Sequence, residues 1–111
     1  MEILGIVGRQ NSGKTTLITR LVPALKSLGL SVSTVKHSHH GFEIDTPGKD
    51  TFRHRESGAE EVMFASKQRW VLMRELGTGT EPPLEDLIAH MTPVDLVLVE
   101  GFKTLPLAKI E

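Results

Sequence analysis

The fold is decided by residues 2–36, which read EILGIVGRQNSGKTTLITRLVPALKSLGLSVSTVK. The short apolar run Glu2–Gly8 ends in glycine, which is typical of a buried parallel strand. Over Lys14–Leu28 apolar residues recur every three or four positions, which predicts a helix with Gly29 at its C-terminal cap. Ser31–Lys36 alternates and is rich in β-branched residues, which predicts a second strand. The stretch is therefore a βαβ unit, whose crossover is right-handed in nearly all proteins.

The rest of the chain continues the α/β pattern. Pro23 lies inside the first predicted helix and predicts a bend near Thr19–Pro23, because a mid-helix proline removes a backbone hydrogen bond. The predicted fold class is α/β, with three layers built on a mostly parallel sheet. The downstream elements are predicted as a helix at Thr51–Ser57 capped by Asp50 and closed by Gly58, a hairpin of Glu61–Ala65 and Arg69–Leu76, a helix at Leu84–Met91 and a strand at Val94–Val99.

Composition narrows the possible functions. The 111 residues carry 13 Lys and Arg against 14 Asp and Glu, a net charge of −1. A general nucleic-acid binder needs a clear basic excess, so we expect no nucleic-acid partner and only a local anion site. The N-terminal apolar run is too short for a signal peptide or a membrane span, so we expect a cytoplasmic protein with no membrane partner. We expect a single domain over residues 1–111.

Residues 8–15, GRQNSGKT, match the pattern G-x-x-x-x-G-K-[ST] at every fixed position. The motif lies between a predicted strand and a predicted helix, which is the context of a phosphate-binding loop (P-loop, or Walker A motif). Backbone N–H groups and the helix N-terminus then hold phosphates, Lys14 reaches the β- and γ-phosphates, and the Thr15 hydroxyl binds Mg²⁺. The alternative interpretation without a binding function is a glycine-rich turn with a solvated lysine. The predicted nucleotide-binding residues here are Gly8, Arg9, Gln10, Asn11, Ser12, Gly13, Lys14, Thr15 and Thr16.

Residues 95–101, DLVLVEG, supply the expected second half of such a site. The apolar strand ends at Glu100, which is predicted to bind Mg²⁺ or to orient water, and with Lys14 it is the predicted catalytic pair. Asp95 begins the strand and is expected at its far end. Gly101 is expected to let the backbone approach the γ-phosphate closely. Read alone, the segment is equally compatible with an ordinary buried strand followed by an acidic residue.

The histidine-rich segment Lys36–His40 leaves the second strand at the same edge of the sheet, so Lys36 and His37 join the predicted nucleotide-binding residues. Three of its residues are histidines and could bind a transition metal, although the chain has no cysteine to complete a thiolate site. Binding of an anion, or simple solvation of the charges, are the other interpretations. Further basic residues that could join an anion pocket are Lys49, Arg53 and Arg55.

Asp45, in the loop that follows, is a second candidate ligand for Mg²⁺, which prefers carboxylate and hydroxyl oxygens. The four phenylalanine and tryptophan residues in this half of the chain show no pattern of a base-stacking platform. They are expected in the core or at an interface: Phe42, Phe52, Phe64 and Trp70.

Several segments taken in order resemble the MobB family of molybdopterin-guanine dinucleotide biosynthesis adaptor proteins. They are Gly8–Thr16, Val35–His40, Asp45–Asp50, Gln68–Trp70 and Asp95–Lys103, and the resemblance extends over essentially the whole chain. It implies a P-loop NTPase-like fold and binding of GTP, with the Walker A residues on the phosphates and Glu100 and Gly101 at the Walker B end. It also implies a homodimer that assists the guanylyltransferase MobA in joining GMP to molybdopterin, with the histidine-rich segment facing the pterin or the partner.

Family members continue past the Walker B strand, and Ala108–Glu111 is predicted to begin another strand, so we expect C-terminal strands that this chain lacks. The predicted activity is weak GTP hydrolysis at most, because no residue that orients water or neutralises transition-state charge is evident. Two alternatives remain. A small-molecule P-loop kinase would need an arginine-bearing lid, for which Arg53 and Arg55 are candidates. A binding module without turnover would use the nucleotide only to shift its conformation.

Overall fold

The computed structural model describes residues 1–6, 14–37, 49–77, 80–101 and 108–110 of the chain. It divides into two compact units, Met1–His40 with His90–Glu111, and Gly41–Ala89. The single domain expected from the length stays a prediction. The elements in chain order are β1 (Glu2–Ile6), α1 (Lys14–Ser27), β2 (Val32–Lys36), α2 (Asp50–Glu56), β3 (Glu61–Ala65), β4 (Trp70–Arg74), α3 (Leu84–Ala89), β5 (Leu96–Glu100) and β6 (Ala108–Ile110).

The first unit is built on a four-stranded sheet in the order β2-β5-β1-β6, and every neighbouring pair is parallel. The predicted α/β class and parallel sheet are confirmed, as is the strand predicted to begin at Ala108. The innermost side chains are Ile6 on β1 and the consecutive Val97, Leu98 and Val99 on β5. Three successive buried residues mean that β5 is covered on both faces, as expected for a central strand of a parallel sheet.

Helix α1 confirms the predicted helix, and it ends one residue earlier than predicted. Its C-terminus is closed by the N–H of Gly29 donating to Lys26 O at 2.9 Å and the N–H of Leu30 donating to Leu25 O at 3.2 Å. This pair of bonds is the Schellman motif, and Gly29 adopts the positive φ of 85° that the motif requires. The helix continues through Pro23. The predicted bend near that residue stays a prediction.

The amino-terminal ends of the central strands are joined by Asp95 and Ser31. One carboxylate oxygen of Asp95 accepts the Ser31 N–H at 2.8 Å and the Ser31 hydroxyl at 3.1 Å, while the Asp95 N–H donates to that hydroxyl at 2.9 Å. The Asp95 carbonyl also accepts the N–H of Glu2 at 3.1 Å. As expected, Asp95 thus lies at the edge of the sheet opposite Glu100, where it ties together the starts of β1, β2 and β5.

We expect Asp95→Ala to lower the melting temperature at neutral pH and to do so less at low pH. The hydrogen bonds from Ser31, first from its N–H and then from its hydroxyl, hold the pKa of Asp95 below the ordinary value of 3.8. A carboxyl whose pKa falls on folding stabilises the protein above its unfolded pKa, and this stabilisation is lost as pH falls through the folded pKa. Circular dichroism melts across pH measure the effect. Ser31→Ala in the same background should then cost little more, and an Asp95→Ala defect independent of pH would contradict the assignment.

The second unit contains a hairpin and two short helices. Strands β3 and β4 are antiparallel, with Met63 opposite Leu72. In the turn that connects them, the Ser66 N–H donates to Arg69 O at 2.9 Å, and the Ser66 hydroxyl accepts the N–H groups of Gln68 and Arg69. The predicted hairpin is confirmed. Arg74 and Glu61 form an ion pair of 3.0 Å across the strands. Among the residues of this unit that the structure describes, the buried side chains are Val62, Leu84 and Ile88.

One expectation for this unit is wrong. Asp50 does not cap α2, because the cap position belongs to Lys49, and Asp50 is the first helical residue, where its charge favours the positive helix end. Phe64 and Trp70, expected in the core or at an interface, are not in the core, because 63% and 64% of their surfaces are exposed. Their place at an interface stays a prediction. Phe42 lies outside the described residues.

Candidate functional site

Glu100 occupies the carboxyl end of the central strand. It is the last residue of β5, and only 7% of its surface is exposed. In register it is opposite Lys36 of β2 on one side and Ile6 of β1 on the other. Register partners in parallel strands present their side chains to the same face of the sheet. Glu100 and Lys36 therefore lie in one row, which ends where β1 leads into the G-x-x-x-x-G-K-[ST] motif of residues 8–15.

A carboxylate at this place offers oxygen atoms that can bind a cation. The carboxyl edge of a parallel sheet is the usual location of ligand sites in open α/β folds. The Mg²⁺ ion of a nucleotide takes oxygen donors of this type. The position of Glu100 therefore fits the metal-binding or water-orienting role that its sequence motif predicts, and that role stays a prediction.

His37 directly follows β2 and is hydrogen-bonded to the carboxyl end of β5. Its N–H donates to the Glu100 carbonyl at 2.8 Å, which continues the β2–β5 pairing one residue past Lys36. Its Nδ1 atom is buried. The prediction that His37 lies at the edge of the sheet with Glu100 is confirmed, although the contact to Glu100 is made by its backbone.

Gly101 has a structural requirement that the sequence did not reveal. Its φ is +103°, and a Cβ atom added there would lie 2.7 Å from the His37 carbonyl oxygen and 3.2 Å from the His37 Cβ. A side chain at this position would therefore collide with backbone as well as strain φ. The sequence predicts glycine here for a close approach to phosphate, whereas the structure shows a close approach to His37.

The remaining predicted site residues are only partly described. Lys14, Thr15 and Thr16 form the first turn of α1, where the unpaired N–H groups of a helix favour an anion. Thr16 is exposed, and its carbonyl accepts the hydroxyl of Thr19 at 2.8 Å. The others lie outside the described residues: Gly8, Arg9, Gln10, Asn11, Ser12, Gly13 and Asp45, together with His39 and His40 of the histidine-rich segment.

Arg55, one of the basic residues considered for an anion pocket, is engaged within its own unit. Its guanidinium lies 3.1 Å from the Glu75 carboxylate and 5.2 Å from the centre of the Phe52 ring. With 17% of its side chain exposed, it links α2 to the end of β4. Lys49 and Arg53 are exposed. Arg55 is therefore held as a structural residue of the Gly41–Ala89 unit.

Two absences concern only the described part of the chain. Within residues 1–6, 14–37, 49–77, 80–101 and 108–110, no three His, Asp or Glu side chains are grouped so as to hold a metal ion. None of the helices formed by these residues is both long and apolar enough to cross a membrane.

Comparison with known proteins gives the family. Residues 3–111 match the family model described as "MobB: Molybdopterin guanine dinucleotide synthesis protein B". The molybdopterin-guanine dinucleotide biosynthesis adapter protein of Haemophilus influenzae is 44% identical, with 99% of this chain and 62% of that protein covered. Its counterpart in Escherichia coli is 42% identical, with 99% and 64% covered. The chain thus spans less than two thirds of the length of these curated relatives.

Solved structures agree with the sequence comparison. The crystal structure of Bacillus subtilis MobB superposes with a TM-score of 0.78 at 34% identity, covering 98% of this chain and 66% of that one. A MobB homolog from Bacillus stearothermophilus gives a TM-score of 0.71 at 30% identity, covering 98% and 61%. The P-loop NTPase-like fold implied by the sequence resemblance is supported by these neighbours. A family match that extends from residue 3 to residue 111 places the chain in the MobB family of molybdopterin guanine dinucleotide synthesis proteins.

Proposed function

We propose that the chain is the nucleotide-binding part of an adapter that binds GTP with Mg²⁺ and assists attachment of GMP to molybdopterin. The observation that carries the proposal is the burial of Glu100 at the carboxyl end of β5, beside the strand that leads into the Walker A motif. A carboxylate strand next to a phosphate-binding loop is the arrangement by which P-loop proteins hold a magnesium-bound nucleotide.

The residues of this chain divide the work of binding. The backbone N–H groups of residues 8–13 and the first turn of α1 hold the phosphates, and Lys14 neutralises charge on the β- and γ-phosphates. The Thr15 hydroxyl and the Glu100 carboxylate are the groups that would hold Mg²⁺, and a role for Asp45 stays a prediction from the sequence. When bound, Mg²⁺ would offset the negative charge of the phosphates. Lys36, in the same row as Glu100, adds a positive charge at this edge.

Turnover should be slow. Efficient hydrolysis requires both a group that orients the attacking water and a cation that stabilises the transition state. Glu100 or Asp45 can serve the first need, and an arginine of a partner molecule the second. We therefore propose that the chain is at most a weak GTPase that acts in the cytoplasm as a homodimer, with the guanylyltransferase MobA as its partner and molybdopterin near the site.

The alternative of a small-molecule kinase has less support. It requires arginines free to close over the transferred phosphate. Arg55, one of the two candidates, is paired with Glu75 and stacked near Phe52. Arg53 alone does not make a lid, so the binding role is favoured over the transferase role.

Calorimetric titration with GTP, ATP and GDP, with Mg²⁺ and in EDTA, tests the proposal. We expect binding of GTP that is tighter in Mg²⁺, and a preference for GTP over ATP at least in the full-length Haemophilus influenzae relative run in parallel. Binding biased towards ATP in both proteins would favour the kinase. No binding of any nucleotide by either protein would refute the nucleotide-binding role itself.

A further inference from the structure

We propose that Gly101 and His37 are positioning residues that fix the Glu100 carboxylate in place for the magnesium-bound nucleotide. The inference rests on the proposed function, because it assigns a task at that same site. Its starting point is that the main chain of His37 contacts the turn after β5 twice. The His37 N–H donates to Glu100 O at 2.8 Å, and a Cβ built on Gly101 would lie only 2.7 Å from the His37 carbonyl oxygen.

Both contacts act on the C-terminal side of Glu100, at its carbonyl group and at the next residue. The hydrogen bond holds its carbonyl, and the close packing of Gly101 holds the residue that follows. Both partners are backbone atoms of His37, and backbone has little freedom to move aside when its own strand is paired along Val32–Lys36. A side chain at position 101 would have to push His37 or the end of β5 away, and Glu100 would move with it.

Strand β1, on the other side of β5, limits how far the end of β5 can move, and a displaced carboxylate would bind a metal ion less well. Glu100 also lies in register with Ile6 of β1, so the end of β5 is held between two strands. An error of about 1 Å in a ligand's position is enough to weaken a site built around it. Residues that orient a metal ligand typically contribute about 10- to 100-fold to metal affinity when tested by substitution.

The chain supplies a matched control for the substitution. Gly58 has a φ of +106°, close to the +103° of Gly101, but a Cβ built there would meet no described atom within 4 Å. Gly58→Ala therefore imposes the same backbone strain without the collision. An effect of Gly101→Ala that Gly58→Ala lacks therefore comes from the added Cβ at position 101 and not from backbone strain.

The quantity to measure is the magnesium gain, defined as the ratio of the GTP dissociation constant in EDTA to that in Mg²⁺. We expect Gly101→Ala to reduce this ratio by about 10- to 100-fold, or to unity where the wild-type gain is smaller, and Gly58→Ala to leave it unchanged. Glu100→Gln should abolish most of the gain, and adding Gly101→Ala to it should reduce the gain little further, because the glycine acts through the carboxylate. A merely destabilised variant would lose affinity equally in both buffers.

The outcomes distinguish a failure of the positioning role from a failure of the proposed function. A wild-type gain that Gly101→Ala preserves overturns the positioning role while leaving the proposed function intact. A wild-type chain that binds no GTP refutes the proposed function and the positioning role with it. If circular dichroism shows that Gly101→Ala does not fold, His37→Pro gives the same test, because proline removes the N–H that bonds Glu100 while position 101 stays glycine.

Discussion

Replacing Lys14 by alanine should weaken GTP binding by about 10- to 100-fold, the loss expected for a hydrogen-bonded charge pair worth roughly 1.5–3 kcal/mol. Lys14 is the fixed lysine of the G-x-x-x-x-G-K-[ST] motif and the first residue of α1. An ammonium at this position adds a full charge to the partial positive charge of the helix N-terminus, and both act on the same phosphates. Calorimetric titration of GTP in Mg²⁺ measures the loss.

Lys26→Ala is the control for Lys14→Ala. Lys26 lies on the same helix but in its last turn, is exposed, and faces the negative end of the helix dipole. Its removal takes away the same charge without touching the motif. GTP affinity should stay close to that of the parent. Equal losses in the two variants would show that Lys14 acts only through net charge, and unchanged binding in Lys14→Ala would refute the phosphate-binding loop.

Local pattern was sufficient to predict the framework of the sheet. Residues 2–6, 14–27, 32–36 and 96–100 form elements close to the predicted bounds, because each combines a clear hydrophobic period with a glycine or polar stop. The placement of Glu100 at one edge and Asp95 at the other followed from the direction of a single parallel strand. When a motif always lies at the same place in a fold, recognising the motif predicts where its residues lie.

What the sequence could not predict depends on contacts between distant segments. The reason for glycine at position 101 is a carbonyl oxygen 64 positions earlier in the chain, at His37, and no local pattern encodes it. The pairing of Arg55 with Glu75 is of the same kind, as is the exposure of Trp70. A charged or aromatic residue type indicates that a side chain is able to bind a ligand. Only the fold shows whether that side chain is already paired with another residue of the protein.

Leu98→Ala should produce the largest loss of stability, about 2–5 kcal/mol in the free energy of unfolding, the range for a fully buried leucine cut back to alanine. Leu98 is 0% exposed and lies at the centre of β5, between β2 and β1. A cavity there is bordered by paired strands, which can close in only partly, so the cost should approach the upper half of that range. The melting temperature should fall by roughly 10 °C or more. Urea unfolding followed by circular dichroism measures the change.

Leu28→Ala gives the comparison, because it removes the same atoms from a leucine that is 75% exposed. A surface change of this kind usually alters stability by about 0.5 kcal/mol or less. If the two variants lost similar amounts, β5 would not be the centre of the core. Since Leu98 precedes Glu100 by two residues on the same strand and presents its side chain to the same face, the packing that stabilises the sheet also holds the carboxylate in place.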